Sequence, residues 1–237
     1  MFSSSGLDSR RTVRDFSRVK SAALLFCLVL VSAGATAAQD VITPTSHIEL
    51  LNGRDFTGWT FCLNSNAVPA KTWTGTNGVI HCTGQPYGYA RTDQAFRNYQ
   101  LTVVWRFVRV APRADNSGIF VHIQPPDKVF PECVECQGQF RHQGDFILSG
   151  GASADGHPAN GNRAIFIPQT GPPNEQPVGE WNTNQITCRG DTVELVVNGR
   201  QMNRITGCNL SSGFIGIQSE GGEIEVRKMS LAPLNSP

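Results

Sequence analysis

The chain has 237 residues, with 20 Lys and Arg against 19 Asp and Glu, and a net charge of +1 gives no general electrostatic case for binding nucleic acid or anionic membranes. Its 24 glycines and 14 prolines, about one residue in six, break the chain too often for long helices, while 16% charged residues is too few for a disordered polar tail. An all-β domain with a sizeable core is expected.

Residues 1–38 read as a secretory signal peptide. Arg10, Arg11, Arg14, Arg18 and Lys20 precede the apolar run from Ala22 to Val31, and Ala35-Thr36-Ala37 supplies the small residues of a cleavage site. A run of about ten residues is short for a bilayer span, which needs about twenty, so the mature protein is expected to be secreted or periplasmic with no membrane attachment. Arg10-Arg11 leaves general and twin-arginine export both open. Residues 39–46 then read as a short linker and 47–237 as one domain.

Within that domain apolar periodicity is close to two, the signature of half-buried strands. Strands are predicted at His47 to Leu51, Val79 to Cys82, Leu101 to Phe107, Ile119 to Gln124, Val134 to Gln139, Ala164 to Ile167 and Asn184 to Cys188. Thr192 to Val197 and Arg200 to Ile205 flank Asn198-Gly199, a dipeptide at ease in a type I′ turn, and so form a hairpin. Phe214 to Gln218 and Ile224 to Ser230 complete the set. No window carries a helical stripe, and the Gly- and Pro-rich stretch from Gly144 to Gly179 predicts long loops at a rim. Trp59 and Trp73 are assigned to packing.

Six cysteines lie beyond the leader: Cys62, Cys82, Cys133, Cys136, Cys188 and Cys208. An even number in an exported chain suits disulfides, and each neighbouring pair brackets adjacent strand-like segments, which favours Cys62 with Cys82, Cys133 with Cys136, and Cys188 with Cys208. Zinc is the competing reading, since Cys133 and Cys136 have ligand spacing, but no second C-x-x-C follows. A redox motif would need a helix N-terminus to lower a thiol pKa, and none is predicted.

Several segments follow one another in a recognisable order. These are Leu51-Asn52-Gly53-Arg54-Asp55-Phe56-Thr57-Gly58-Trp59, Asn116-Ser117-Gly118-Ile119-Phe120, Glu135-Cys136-Gln137, Gly179-Glu180-Trp181-Asn182, Gly216-Ile217-Gln218-Ser219-Glu220-Gly221 and Leu231-Ala232-Pro233-Leu234. Together they resemble the 3-keto-disaccharide hydrolase-like family of secreted bacterial domains, over residues 47 to 234. The resemblance implies a concanavalin A-like jelly-roll sandwich of two antiparallel sheets and a carbohydrate substrate. Two features depart from the family pattern. Gly138-Gln139 stands where an Asp or similar residue is usual after E-x-Q, leaving His142 and Asp145 as the nearest candidates, and the Cys133/Cys136 pair is not a general feature.

Alternation assigns faces to these segments. If Leu101, Val103, Trp105 and Phe107 face the core, Arg106 faces away; by the same parity His122, Gln218 and Glu220 face away, and Glu135, Gln137 and Gln139 share a face. Were these strands in one curved sheet, its open face would present Arg106, His122, Glu135, Gln137, Gln218 and Glu220, a surface suited to sugar hydroxyls. An ordinary solvated sheet face has the same pattern. Asn116 and Trp181 join the substrate-binding candidates, Trp181 as a stacking platform or as core.

The resemblance implies glycosides oxidised to a ketone at C3. Such a ketone acidifies the C2 proton, so a base can remove it and the enolate can expel the C1 substituent; water then adds to the enone. Glu135 or His122 would be the base, with Arg106 or a divalent cation at the C3 oxygen. An ordinary glycosidase needs two carboxylates, for which Glu135 and Glu220 are the pair. A non-catalytic sugar-binding module and a cell-surface interaction module stand beside the enzyme, since fold does not settle activity. No phosphate loop, H-E-x-x-H helix or G-x-S-x-G elbow is present in the sequence.

Overall fold

The alternating segments pair into two antiparallel sheets packed face to face. The computed structural model describes residues 40–65, 67–109 and 116–234, so the signal-peptide reading lies outside the described residues. The seven-stranded sheet runs, edge to edge, through Ile165–Ile167, Phe146–Ser149, Cys133–Gln137, Gly118–Ile123, Phe214–Ser219, Gly88–Thr92 and Trp59–Leu63. Its partner runs through Arg200–Ile205, Thr192–Val197, Asn182–Arg189, Tyr99–Phe107, Ile224–Pro233, Val79–Cys82 and Trp73–Thr76, with Ile48–Glu49 beside Ile224–Pro233. A four-residue helix, Pro69–Thr72, starts on a proline at its first turn, where the missing N–H costs no hydrogen bond.

The core lies between the sheets and is made by the residues that parity places inward. Leu101, Val103, Trp105 and Phe107 meet Ile119, Val121, Val134, Cys136, Phe146, Leu148, Ile215 and Ile217 across the interior. Each buried aliphatic side chain of this kind stabilises by about 1.5–3 kcal/mol. Trp59 and Trp73 belong to the same cluster, as expected, with Phe56 edge-on to both. The predicted hairpin forms, with Asn198 and Gly199 at φ 49° and 81°.

One irregularity changes the expected faces. Phe214 pairs with Ile123 but Gly216 pairs with Phe120, so Ile215 stands opposite both Val121 and His122. This bulge puts His122 at φ 57° and reverses the alternation beyond it. Ile123 therefore leaves the core side and joins Phe120, Tyr89, Ala95, Cys133 and Phe214 in a second apolar cluster on the outward face of the seven-stranded sheet. Arg91 covers part of that cluster, its guanidinium 3.9 Å from the Phe214 ring centroid and 2.7 Å from Asp127.

The disulfide expectation is overturned: all six cysteines are free thiols. Cys133 and Cys136 are three apart on one strand, so they project to opposite faces, one into each apolar cluster. Cys62 packs on the outward cluster while Cys82 lies in the core between the sheets. Cys188 and Cys208 share that core but remain unbridged, and burial pushes their thiols up to about 12 and about 11.

Candidate functional site

The rest of the outward face of the seven-stranded sheet carries polar and apolar side chains together, and register explains how it is built. Glu135 is paired with Phe120 on one side and Ile147 on the other, and Ile147 is paired in turn with Phe166. Direct partners share a face, so these side chains form one row across four strands, with Gln137 beside Gly118 in the next row. A Cβ on Gly118 would lie 2.6 Å from Glu135 Oε1 and 3.2 Å from Gln218 Oε1. The missing side chain is thus what lets Glu135 and Gln218 converge over the strand.

The flanking Asn116-Ser117 anchors this arrangement. Asn116 Nδ2 donates to Glu220 Oε2 at 2.6 Å, and Ser117 Oγ donates to the Gln218 carbonyl at 2.9 Å. Gln137 Oε1 accepts from the backbone N–H groups of Gly138 and Gln139 at 2.7 and 2.9 Å, which fixes its amide and leaves Nε2 as the donor. The resulting cavity of about 210 Å³ is lined on one side by Asn116, Glu135, Gln137, Gln218 and Glu220 and on the other by Phe130, Ile147, Ala164 and Phe166, with Gln139 and Ser149 between. Three buried oxygens in it have no partner: Asn116 Oδ1, Glu135 Oε1 and Gln218 Oε1. Leaving such acceptors unpaired is costly, and substrate hydroxyls would satisfy them.

The carboxyls differ in environment. Glu135 is only 6% exposed, and burial, helped by the charge of Glu220, pushes its pKa up to about 8. Burial also raises Glu220, against the hydrogen bond from Gln218, which favours its charged form. Glu135 therefore holds a proton at neutral pH.

Of the predicted site residues, Glu135, Gln137, Asn116, Gln218 and Glu220 come together; His122, Arg106 and Trp181 do not. His122 is turned by the bulge into the core, edge-on to Tyr99, with Nδ1 3.0 Å from the Leu210 carbonyl oxygen. Burial pushes it down to about 4, a neutral core imidazole. Arg106 faces outward as expected, but from the other sheet, so it opens on the far side of the sandwich. There it pairs with Glu225 at 2.7 Å and donates to the Gly179 carbonyl at 2.8 Å. Trp181 stacks on the guanidiniums of Arg106 and Arg227, each 4.4 Å from its ring centroid, and so belongs with Arg106 and not with the pocket. His142 and Asp145 bond to each other at 2.9 Å, and Asp145 also accepts from the Gln169 N–H.

The donor set for a divalent cation is thin. Among the described residues no three His, Cys, Asp or Glu side chains are grouped to hold a metal, and Glu220 already takes the amide of Asn116. Sequence reasoning missed Phe130 and Phe166. Phe166 was within reach, because it sits in a predicted strand with isoleucines on either side and so faces away from them; Phe130 lies in a proline-flanked loop with no periodic signal.

These features define a jelly-roll sandwich with a polar, carboxylate-bearing pocket on one outward face. The chain matches the family model of the 3-keto-alpha-glucoside-1,2-lyase-like domain over residues 46–232, and it belongs to that family. The fold is shared with a candidate glycosyl hydrolase from Parabacteroides distasonis, at 21% identity and a TM-score of 0.55 over 80% of this chain and 94% of that one. It is shared also with a Bacillus licheniformis beta-glucanase, at 14% identity and a TM-score of 0.54 over 80% of this chain and 97% of that one. Carbohydrate-binding module CBM66 from Bacillus subtilis aligns at 12% identity and a TM-score of 0.52, over 73% of this chain and 94% of that one. No curated protein matches the sequence. Among the described residues no helix is long and apolar enough to cross a membrane. The chain is thus a jelly-roll member of the 3-keto-alpha-glucoside-1,2-lyase-like domain family.

Proposed function

We propose that this pocket cleaves glycosides whose sugar carries a ketone at C3, in a secreted or periplasmic setting. The observation that carries the reading is the pairing of Glu135, buried and protonated, with Glu220, held by amide donors, in a sugar-sized cavity of a 3-keto-alpha-glucoside-1,2-lyase-like domain. Two carboxyls pushed apart in protonation divide into base and acid.

In this scheme Glu220 takes the C2 proton, whose acidity comes from the neighbouring ketone, and the electrons of the broken C–H bond pass to the C3 oxygen as an enolate. Gln137 Nε2, fixed through its Oε1, donates to that oxygen. The enolate collapses, the C1–O bond breaks, and Glu135 delivers its proton to the departing oxygen, leaving an enone and a free alcohol. Water then enters. Glu135, now ionised and strongly basic in its buried setting, removes a proton from it as oxygen attacks C1, and Glu220 returns a proton to C2. The sum is hydrolysis, with both carboxyls restored.

The test is to incubate the protein with a 3-keto-glucoside and its unoxidised parent in deuterated water. Cleavage of the keto sugar alone, with deuterium at C2 above the exchange of the free 3-keto sugar, supports elimination. Cleavage of the parent with no label at C2 replaces it with two-carboxylate glycosidase chemistry, which breaks only the C1 bond. The three unpartnered oxygens also suit a module that only binds sugar, and that reading stands if both compounds bind and neither is cut.

A further inference from the structure

Resting on that reading of the polar half, we propose that the apolar half of the same pocket is built for a planar, apolar aglycone, so that the substrates are aryl glycosides and not disaccharides. The described residues include five exposed large apolar side chains, and two of them, Phe130 at 55% and Phe166 at 67%, line this one cavity. Scattered surface apolar residues are ordinary, but two aromatic rings at the lip of one polar pocket form a patch with a use.

Register places this lip where a leaving group would be. Phe166 is paired with Ile147 and Ile147 with Glu135, so Phe166 stands two strands from the carboxyl, roughly 9–10 Å at the usual strand spacing. In the scheme above Glu135 protonates the departing oxygen, so the leaving group starts at that carboxyl and has the span over Ile147 to Phe166 in which to lie. A sugar held by Glu135, Gln218 and Glu220 would therefore extend its C1 substituent over Ile147 towards Phe166, with Phe130 and Ala164 beside it. A second sugar could lay its apolar face on these rings, but its hydroxyls would find few partners, since Phe130, Ile147, Ala164 and Phe166 line that half and the polar Gln139 and Ser149 stand only at its border. A planar aromatic group asks for none. Phe166 also lies on the edge strand Ile165–Ile167, where an exposed aromatic invites unwanted strand pairing, so its presence there calls for a function.

The experiment uses compounds that cannot be cleaved. Binding of C-phenyl, C-methyl and C-glucosyl glucosides, in both anomers, is measured calorimetrically on the intact protein, with benzyl alcohol as the sugar-free control. The phenyl compound is expected to bind at least about tenfold more tightly than the methyl one, an advantage lost in Phe166→Ala and reduced in Phe130→Ala while methyl affinity stays the same. Equal affinities, tightest binding of the glucosyl compound, an advantage that survives both substitutions, or equal binding of benzyl alcohol would each overturn the proposal. Turnover of the methyl 3-keto-glucoside separates the two readings. Turnover without phenyl preference sinks the aglycone assignment alone, and phenyl preference without turnover sinks the reaction alone.

Discussion

At the scale of single residues, Glu135 carries the heaviest demand. Glu135→Gln keeps the volume of the side chain and removes the proton it holds at neutral pH, so turnover of a 3-keto-glucoside should fall by at least about 10²-fold with the fold intact. In the unaltered protein kcat/KM should decline as pH rises through about 8, when Glu135 of the free protein loses its proton, and that descending limb should vanish in the variant. Gly118→Ala makes a second case, because its Cβ would press on both Glu135 and Gln218; a loss of turnover without a comparable loss of stability is expected. Alternation alone gave the right face for Glu135, Gln137 and Gln218, since each lies on a strand whose pleat is regular at that position. It failed for His122 because a bulge is set by the partner strand, and nothing within Gly118–Ile123 announces it.

At the scale of elements, parity says which side of a strand a residue takes but not which sheet the strand joins. Arg106 and Trp181 were misplaced for that reason, and the Arg106 and Trp181 stack should be separable from the pocket. Trp181→Ala should leave binding of a keto-glucoside unchanged while lowering the unfolding midpoint. The cysteines fail by the same logic, since adjacency of segments does not give the direction of side chains. Peptide mapping of the native protein should find no bond between Cys133 and Cys136, whose strand holds them back to back. Strands such as Trp73–Thr76 escaped notice because Gly75 interrupts the pattern; a Cβ there would lie 2.5 Å from the Arg54 carbonyl oxygen, so close backbone approach, invisible in sequence, selects the glycine.

At the scale of the whole molecule, the sandwich and its family were legible because ordered motifs span nearly the whole domain, whereas the lip of the pocket depends on how far apart in sequence Phe130 and Phe166 are brought together. The bulge that buries His122 has a consequence for the proton balance of folding. Folding lowers His122 from 6.5 to about 4, so by itself the imidazole makes stability fall as pH drops across that window, where the unfolded chain binds the extra proton. Glu135 is raised from 4.5 to about 8, so its contribution is full below 4.5 and is lost as pH rises towards 8. Between about pH 4.5 and 6.5 the two slopes, each roughly 1.4 kcal/mol per pH unit, oppose each other, and unfolding exchanges almost no net proton through this pair. Thermal midpoints should trace a plateau there, with a descent on either side. Replacing His122 with Phe should abolish the plateau, leaving a decline that begins near pH 4.5; a plateau that persists would mean that other groups set the balance. A histidine that does no chemistry would thus offset, across a mildly acidic range, the stability that the protonated glutamate gives up.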